Sequence, residues 1–276
     1  MSAETKTLDA PIMLSPHRLT EDWTMLPGWA PLPGLGVLAI NSFLLKGPQP
    51  VLVDTGMACM GDAYLAALER EIDPAEIAWI WISHADADHI GNLQRVLERA
   101  PRARVVTAFI GMAKLGLMGF DLSRVELLRP GADFEAGGRR LHPLRPLYYD
   151  APETTGFFDP AADLLFTVDS FGAVLPAPVA TVEDAAPGDL HHGMVTWSSI
   201  DAPWLAQTDR AAMARGLAAI ERRQPRHLIS AHLPPLGGRV STVTRPLAGA
   251  YGSGAVAPAD GLAVETVLGA LDRIAA

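Results

Sequence analysis

Two histidines and two aspartates lie within six residues, in the stretch His84-Ala-Asp-Ala-Asp-His89. Imidazole nitrogens and carboxylate oxygens are side-chain groups that bind divalent metal ions. A single Asp here would be explained more simply as the N-cap of a following helix. Packing, however, gives no reason to gather four such side chains. The motif therefore predicts a metal site.

The motif comes at the end of a predicted strand. The segment 77–83 is an apolar run rich in β-branched and aromatic residues, which is typical of a buried strand. Gly91 and the spacing of Leu93, Val96 and Leu97 predict a helix over about 91–100. Open α/β sheets usually carry their sites where a strand ends and a helix follows. The predicted elements thus place the motif at the edge of a sheet.

Other polar side chains also follow apolar, strand-like segments. A pair of metal ions needs more than four ligands, so the rest of the chain is expected to supply some. The candidates are Asp150 after 147–149, Asp169 after 163–168, and His232 after 227–231.

Strands and helices are mixed along the chain without a break in composition, which favours a single α/β domain over residues 1–276. The remaining predicted strands are 36–45, 50–54, 103–109, 125–128 and 140–141. The other predicted helices are 61–72, 111–118, 210–223 and 260–275. Three stretches without a clear period are expected to be an irregular lead-in, 1–34, and two long loops, 172–206 and 237–258.

Composition excludes several classes of protein. A chain of 276 residues that is 49% hydrophobic can bury a large core. The net charge of −9 argues against nucleic acid or an anionic membrane as a partner. Cys59 is the single cysteine, so an internal disulfide and a cysteine-ligated zinc or iron–sulfur centre are excluded. Neither an export signal nor an apolar segment of membrane-spanning length is visible, and we expect a cytoplasmic protein.

Several motifs resemble the metallo-β-lactamase superfamily. They are Val51-Leu-Val-Asp-Thr-Gly56, the 84–89 motif with Gly91, Asp169 and His232. The resemblance implies a four-layer αββα sandwich with a dinuclear metal site at one edge. The usual superfamily motif is His-x-His-x-Asp-His, and Asp86 stands where the second His would be.

A carboxylate at that place is typical of flavodiiron proteins, the oxygen and nitric oxide reductases. Segments 150–158 and 165–172 are similar to the same branch, although Asp150 stands where the branch has His. Either Asp150 binds metal as a carboxylate, or one of the two metal positions is weakened or empty. The likeness covers most of residues 36–235.

The resemblance implies a ligand set and a role for one neighbour. One metal would be bound by His84, Asp86 and Asp150, the other by Asp88, His89 and His232, with Asp169 bridging them. Three imidazoles and four carboxylates without a thiolate suit iron better than zinc, with manganese and zinc as alternatives. Asp54 would orient the metal loop from behind, or else is a turn residue before Gly56; the two interpretations are evenly balanced.

The leading hypothesis is a stand-alone flavodiiron-like protein whose dinuclear non-haem iron site binds or reduces dioxygen or nitric oxide. The 276 residues carry no flavodoxin-like domain for FMN. Electrons would then come from a separate donor, or the site would only sense oxygen for a signalling partner. The same resemblance implies a head-to-tail homodimer.

The competing hypothesis is a metallo-hydrolase that acts on a lactone, thioester or amide through water activated by the metal ions. Asp88 would then hold the attacking water. Asp86 and Asp150 argue against it, because they remove two imidazoles from the first metal. A degenerate scaffold with one metal or none is the third possibility.

Overall fold

The structure is a computed structural model that describes residues 8–136 and 138–250. Its strands are, in chain order, β1 (Ile12–Met13), β2 (His17–Arg18), β3 (Trp23–Leu32), β4 (Gly36–Leu45), β5 (Val51–Val53), β6 (Trp79–Trp81), β7 (Arg104–Thr107), β8 (Val125–Leu127), β9 (Phe134–Ala136), β10 (Arg139–Leu144), β11 (Gly156–Asp159), β12 (Leu164–Phe166), β13 (Val174–Leu175) and β14 (His227–Ile229). Its α-helices are α1 (Gly61–Glu71), α2 (Ala87–Ile90), α3 (Leu93–Arg99), α4 (Phe109–Leu117), α5 (Pro187–Asp201), α6 (Arg210–Arg223) and α7 (Ser241–Ala250). Short 3₁₀ turns cover Ala58–Met60, Pro74–Glu76, Leu122–Arg124, Val182–Asp184 and Pro203–Gln207.

The described strands form two mixed sheets. The first sheet has the order β1-β3-β4-β5-β6-β7-β8, with β2 also paired to β3 and β13 to β4. Strands β5 to β8 run parallel to one another. The second sheet has the order β14-β12-β11-β10-β9, and β14 runs parallel to β12. Each sheet therefore has a parallel part whose carboxyl ends can present a site.

Aromatic side chains fill the space between the two sheets. The Trp81 ring of the first sheet lies 5.1 Å from the Phe157 ring of the second, and Phe43 lies 5.4 Å from Phe166. All four of these side chains are buried. Rings of this size bury large apolar areas, so this layer is a major source of stability.

Helices cover both outer faces. Leu65 of α1 and Leu93 of α3 pack against the first sheet in one apolar cluster. Met194 of α5, Leu217 of α6 and Leu247 of α7 belong to another cluster with side chains of the second sheet. The predicted four-layer αββα sandwich is confirmed. Within the described residues, none of the helices combines the length and the apolar character that crossing a bilayer requires.

The expectation of an irregular lead-in over 1–34 is wrong for residues 23–32. They form the ten-residue strand β3, paired with β4 from Trp23↔Leu45 to Leu32↔Gly36. Pro27, Gly28 and Pro31 hide the strand pattern in the sequence. A strand with two prolines is tolerated here because only the two-residue strands β1 and β2 pair with its other edge.

The two expected long loops are also wrong where they contain regular structure, and residues 251–258 of the second lie outside the described residues. Residues 172–206 contain β13 and the fifteen-residue helix α5, and residues 237–258 contain α7. Helix α5 lacks a regular apolar stripe because it approaches β13 through Gly193, where a Cβ atom would lie 2.1 Å from the Val174 carbonyl oxygen. Helix α7 is hidden by the internal Pro246. The expected strand 147–149 is absent, and the expected helix 260–275 lies outside the described residues.

We predict that Trp23→Phe lowers the free energy of unfolding by about 1–3 kcal/mol, because it removes one partner of a buried carboxylate. The indole nitrogen of Trp23 donates to Asp159 Oδ2 at 2.9 Å, and Asp159 is buried. Chemical denaturation followed by circular dichroism measures the change. Trp79→Phe is the matched control, since Trp79 is half-buried and its indole nitrogen has no hydrogen bond to another described residue. Equal losses in the two variants would contradict the prediction.

Candidate metal centre

The 84–89 motif forms a turn that leads from β6 into α2. Asp86 occupies the N-cap position of α2, yet its side chain makes no capping hydrogen bond. The turn lies against the loop after β5: the Gly91 amide donates to the Gly56 carbonyl at 2.9 Å, and the Thr55 amide donates to the His89 carbonyl at 2.6 Å. A Cβ atom on Gly91 would lie 2.3 Å from a backbone nitrogen, so only glycine allows this approach. Because the Asp86 side chain makes no capping hydrogen bond, its interpretation as a helix cap is not supported.

The two sheets are joined at the edge where the motif lies. The backbone amide of Asn41 in β4 donates to the carbonyl of Ala231, just beyond β14, at 2.9 Å. The Asn41 side chain also donates to the carbonyls of Ser230, at 3.1 Å, and Leu233, at 2.7 Å. His232 lies within this short segment. These bonds place it opposite the motif on the other sheet.

Three of the predicted ligands, Asp86, Asp150 and Asp169, lie around His84. The first group is defined as His84, Asp86 and Asp150, whose ligand atoms all lie within 4.8 Å of one another. His84 Nε2 is 3.8 Å from Asp150 Oδ1 and 3.6 Å from Asp169 Oδ2. Asp150 therefore lies among these groups, as a carboxylate where the family resemblance implies an imidazole.

The other predicted residues come together around His89. The second group is defined as Asp88, His89 and His232, with ligand atoms again within 4.8 Å of one another. Asp88 Oδ2 lies 3.6 Å from His89 Nε2 and 3.4 Å from His232 Nε2. Both imidazole nitrogens lie 3.1 Å from Asp169 Oδ1. The structure thus brings all seven predicted side chains together, with Asp169 between the two groups.

The surroundings of the Asp169 carboxylate show whether a cation fits between the two groups. The residue is 1% exposed, and neither of its carboxylate oxygens makes a hydrogen bond of suitable geometry. His89 Nε2 is likewise buried without such a bond. Burying a carboxylate without partners is costly, and native proteins rarely do so. Cations bound between the imidazoles and carboxylates would satisfy all of these atoms, so the residues present fit a metal pair.

The charges of the centre shift several pKa values. Burial acts to raise the pKa of Asp169, but His84 and His89 outweigh it and hold this pKa well below its usual range. Burial acts to lower the pKa of His89, but Asp88, Asp169 and Asp54 raise it well above its usual value. Burial, together with the charges of Asp169 and Asp86, raises the pKa of Asp150. The neighbouring carboxylates therefore favour the positively charged form of His89.

Asp54 orients the second group from behind. Its Oδ2 lies 2.9 Å from His89 Nδ1, and its carboxylate accepts hydrogen bonds from the Ser83 amide, at 2.9 Å, and hydroxyl, at 2.7 Å. His232 Nδ1 is 2.8 Å from the Ala39 carbonyl in the same way. Such bonds fix the ring orientation and leave Nε2 for a metal. Of the two interpretations of Asp54, the geometry supports the orienting role.

The backbone that presents Asp169 is unusual. Val168 has φ +53°, a conformation that β-branched residues rarely adopt. Its carbonyl accepts hydrogen bonds of 2.8 Å from the Ala231 amide and from the Ser230 hydroxyl. The segment after β14 therefore holds the turn that aims Asp169, and strain of this kind is typical of functional sites.

The loop that carries Asp150 is hydrogen-bonded to the segments that carry Asp169 and His84. The Tyr148 amide donates to Ser170 Oγ at 3.0 Å, and this hydroxyl donates to the Tyr148 carbonyl at 2.7 Å. The Thr155 amide donates to the Ser83 carbonyl at 2.9 Å. One attachment is next to Asp169 and the other precedes His84. The loop can therefore place Asp150 without forming the expected strand.

An ion pair at the edge of the first group was not predicted from the sequence. Lys114 Nζ of α4 lies 2.6 Å from Glu153 Oε1 and 3.8 Å from Asp86 Oδ1. Glu153 is buried. Burial acts to lower the pKa of Lys114, but Glu153, followed by Asp86 and Asp150, raises it. Only the three-dimensional contact identifies this pair, because Lys114 lies in a helix with no other charged residue.

Helix α5 also contributes side chains that the sequence analysis missed. The Trp197 indole nitrogen donates to the Asp169 carbonyl at 3.0 Å, and its ring lies 4.5 Å from the His232 ring. Asp201, at the end of the helix, offers an oxygen within 4.8 Å of those of Asp150 and Asp169. Burial, followed by the charges of Asp169 and Asp150, raises the pKa of Asp201 to about 9. No sequence signal pointed to them, because this stretch was expected to be a loop.

Comparison with known proteins gives a family match and related sequences. The family model of the metallo-beta-lactamase superfamily matches residues 35–202. A putative diflavin flavoprotein A 1 of Thermosynechococcus vestitus is 34% identical over 134 residues, which are 48% of this chain and 24% of that protein. Flavo-diiron protein FprA2 of Clostridium acetobutylicum is 37% identical over 71 residues, 26% of this chain and 18% of that protein. The matched segments therefore cover about a quarter of the length of these relatives, or less.

Solved structures of the same kind share the fold. Rubredoxin oxygen:oxidoreductase of Desulfovibrio gigas has a TM-score of 0.72 at 18% identity, over 86% of this chain and 60% of that one. A fragment, residues 1–254, of putative diflavin flavoprotein A 5 from Nostoc sp. has a TM-score of 0.71 at 16% identity, over 88% of this chain and 98% of the fragment. The described fold is therefore that of the lactamase-like core of these proteins.

We predict that Asp54→Asn weakens metal binding by about 10- to 100-fold, the usual effect of losing a partner behind a metal-binding His. An amide cannot replace both oxygens that face His89 Nδ1 and the two Ser83 donors. Isothermal titration with Mn²⁺ or Fe²⁺ measures the loss. Glu69→Gln, which removes an exposed acid from α1, is the control and should bind metal as the wild type does. Wild-type affinity in Asp54→Asn would contradict the orienting role.

Proposed function

Since the chain belongs to the metallo-β-lactamase superfamily, we propose that its seven converging side chains hold a pair of iron ions that binds or reduces dioxygen or nitric oxide. The names of the related proteins support the proposal, because one is a flavo-diiron protein and one a rubredoxin oxygen:oxidoreductase. The metal ligands proposed are His84, Asp86, Asp88, His89, Asp150, Asp169 and His232.

One observation carries the proposal: the Asp169 carboxylate has an oxygen toward each group and hydrogen bonds to neither. Oδ2 faces His84 of the first group, and Oδ1 faces His89 and His232 of the second. A carboxylate in that position can bridge two cations. The arrangement therefore supports two neighbouring ions rather than one.

The donor set supports iron over zinc. Four carboxylates and three imidazoles form an oxygen-rich set, which hard and borderline divalent ions such as Mn²⁺ and Fe²⁺ prefer. Four negative charges also balance the charge of two divalent ions, which favours a reduced pair. Manganese and zinc remain the alternatives to test.

When bound, an iron pair would supply electrons and open coordination positions for a small diatomic ligand. The residues of the chain hold the pair in place and fix its charge. Asp54 and the Ala39 carbonyl orient the rings of His89 and His232. Asp88 is 28% exposed and is the least buried residue of the second group, so ligand access is proposed on its side. Reduction would need electrons from a donor, and without one the site would only sense oxygen. A homodimer in the cytoplasm is the proposed form.

We predict that Asp169→Asn abolishes binding of both ions, whereas Asp150→Asn removes only the ion of the first group. Asp169 faces both groups, and Asp150 contacts only the first. Metal analysis of purified protein and calorimetric titration measure the number of ions per chain. Two ions in Asp169→Asn would contradict a bridging role. Two ions of wild-type affinity in Asp150→Asn would mean that Asp150 is not a ligand.

We predict that protein loaded anaerobically with Fe²⁺ consumes dioxygen or nitric oxide when an artificial reductant supplies electrons, and that Asp169→Asn does not. An oxygen or nitric oxide electrode measures the consumption, and an oxo-bridged ferric absorption band that reduction removes reports the metal pair. Glu69→Gln is again the control. Binding of the gas without turnover would limit the function to sensing.

The competing hydrolase is tested with the same protein. A panel of lactones, thioesters and amides is offered to the wild type and to Asp88→Ala. Hydrolysis that depends on Asp88, without consumption of either gas, would overturn the proposed function in favour of the hydrolase. The absence of bound metal in wild-type protein would overturn both.

A further inference from the structure

Asp201 is an eighth acidic or imidazole side chain at the centre, and the seven-residue set does not include it. It is the last residue of α5, and its carboxylate lies with those of Asp150 and Asp169, with one oxygen of each within 4.8 Å of the others. No lysine or arginine of the described residues makes an ion pair with these three carboxylates. Apart from the neighbouring imidazoles, no side-chain cation in the described part of the chain therefore offsets their mutual repulsion at ion-pair distance.

The position of Asp201 is determined by Trp197, one helical turn earlier. Residues four apart lie on the same face of a helix. Trp197 donates to the Asp169 carbonyl and packs on the His232 ring. A Cβ atom on Gly172 would lie 2.4 Å from the Trp197 ring, so the helix and the turn after Asp169 are in close contact. The same face therefore directs Asp201 at the metal centre.

Buried oxygen atoms on two of these residues indicate that a ligand belongs between the carboxylates. Asp201 Oδ2 is inaccessible to solvent and has no hydrogen-bond partner. Asp169 is 1% exposed, and both of its oxygens are in the same condition. Buried acceptors without partners are rare in native proteins. A cation bound between them would give one oxygen of each residue a partner.

We propose that Asp201 is a metal ligand of the first group and that its carboxylate shifts the metal preference of this half of the centre toward Mn²⁺ relative to Zn²⁺. The inference rests on the dinuclear site proposed above. The first metal would then have one imidazole and four carboxylates, from His84, Asp86, Asp150, Asp169 and Asp201. The second would have two imidazoles and two carboxylates. Oxygen ligands suit manganese, whereas imidazole suits zinc and iron, so the two positions would differ in metal preference.

The test uses Asp201→Asn in the full chain, with Mn²⁺ alone as the probe. Asparagine has the shape and hydrogen-bonding groups of a protonated Asp, so it separates a ligand from a neutral hydrogen-bond partner. Titration of the metal-free protein, followed by the electron paramagnetic resonance of free Mn²⁺ and by calorimetry, gives the affinity of each position. We expect one of the two Mn²⁺ ions to bind at least about 10-fold more weakly, with a smaller loss for Zn²⁺.

Asp189→Asn is the matched control, because it removes the same charge from an exposed position of the same helix. It should titrate as the wild type does, and circular dichroism and thermal melting confirm folding. Wild-type affinity in Asp201→Asn, or equal weakening of both ions, would overturn the inference. If Asp201→Asn does not fold, a crystal structure of the wild type with Mn²⁺ decides: an Asp201 oxygen beyond coordination distance of the first ion overturns it.

The two proposals fail in different ways. Wild-type protein that binds no metal would end the proposed function itself. Wild-type protein that binds two Mn²⁺ ions, lost together in Asp169→Asn but unaffected by Asp201→Asn, would retain the dinuclear centre and exclude only the ligand role of Asp201.

Discussion

The structure depends on one buried carboxylate whose oxygens have no hydrogen bonds. Asp169 is enclosed by three imidazoles, and their Nε2 atoms lie 3.1–3.6 Å from its oxygens. Such a group is stable only if positive charge is supplied next to it. In the protein alone His89, whose pKa is raised, can supply part of this charge, and a metal pair would supply it more completely. The architecture around Asp169 is best understood as a means of holding those charges at fixed positions.

Neither sheet could build this arrangement alone. The first sheet contributes the 84–89 motif after β6 and Asp54 after β5, while the second contributes Asp169 after β12 and His232 after β14. Asn41 joins the two edges through three hydrogen bonds to the segment 230–233. The aromatic layer between the sheets fixes their separation. Packing between the sheets therefore helps to set the distances at the centre.

The sequence predicted the seven side chains because each follows an apolar strand-like run, and motif spacing identified the family. The prediction of secondary structure failed where the local sequence pattern does not match the packing of the element in the fold. Strand β3 contains Pro27 and Pro31, and α5 is buried through Gly193 rather than through a regular apolar stripe. Because no helix was predicted for this stretch, the directions of the Trp197 and Asp201 side chains could not be inferred from the sequence. Lys114 and Glu153 are 39 residues apart and are paired only by the fold.

The two halves of the centre are supported by different kinds of structure. The ligands of the second group come from strand ends and a short helical turn, and their rings are fixed by Asp54 and the Ala39 carbonyl. The first group depends on the loop that carries Asp150, and the end of α5 lies beside it. Loop and helix-end positions adjust at lower cost than paired strands. The second half is therefore the more fixed part of the centre. The first half is the part in which carboxylates such as Asp86 and Asp150, which stand where the resemblance implies imidazoles, can change the metal preference without disturbing the sheets.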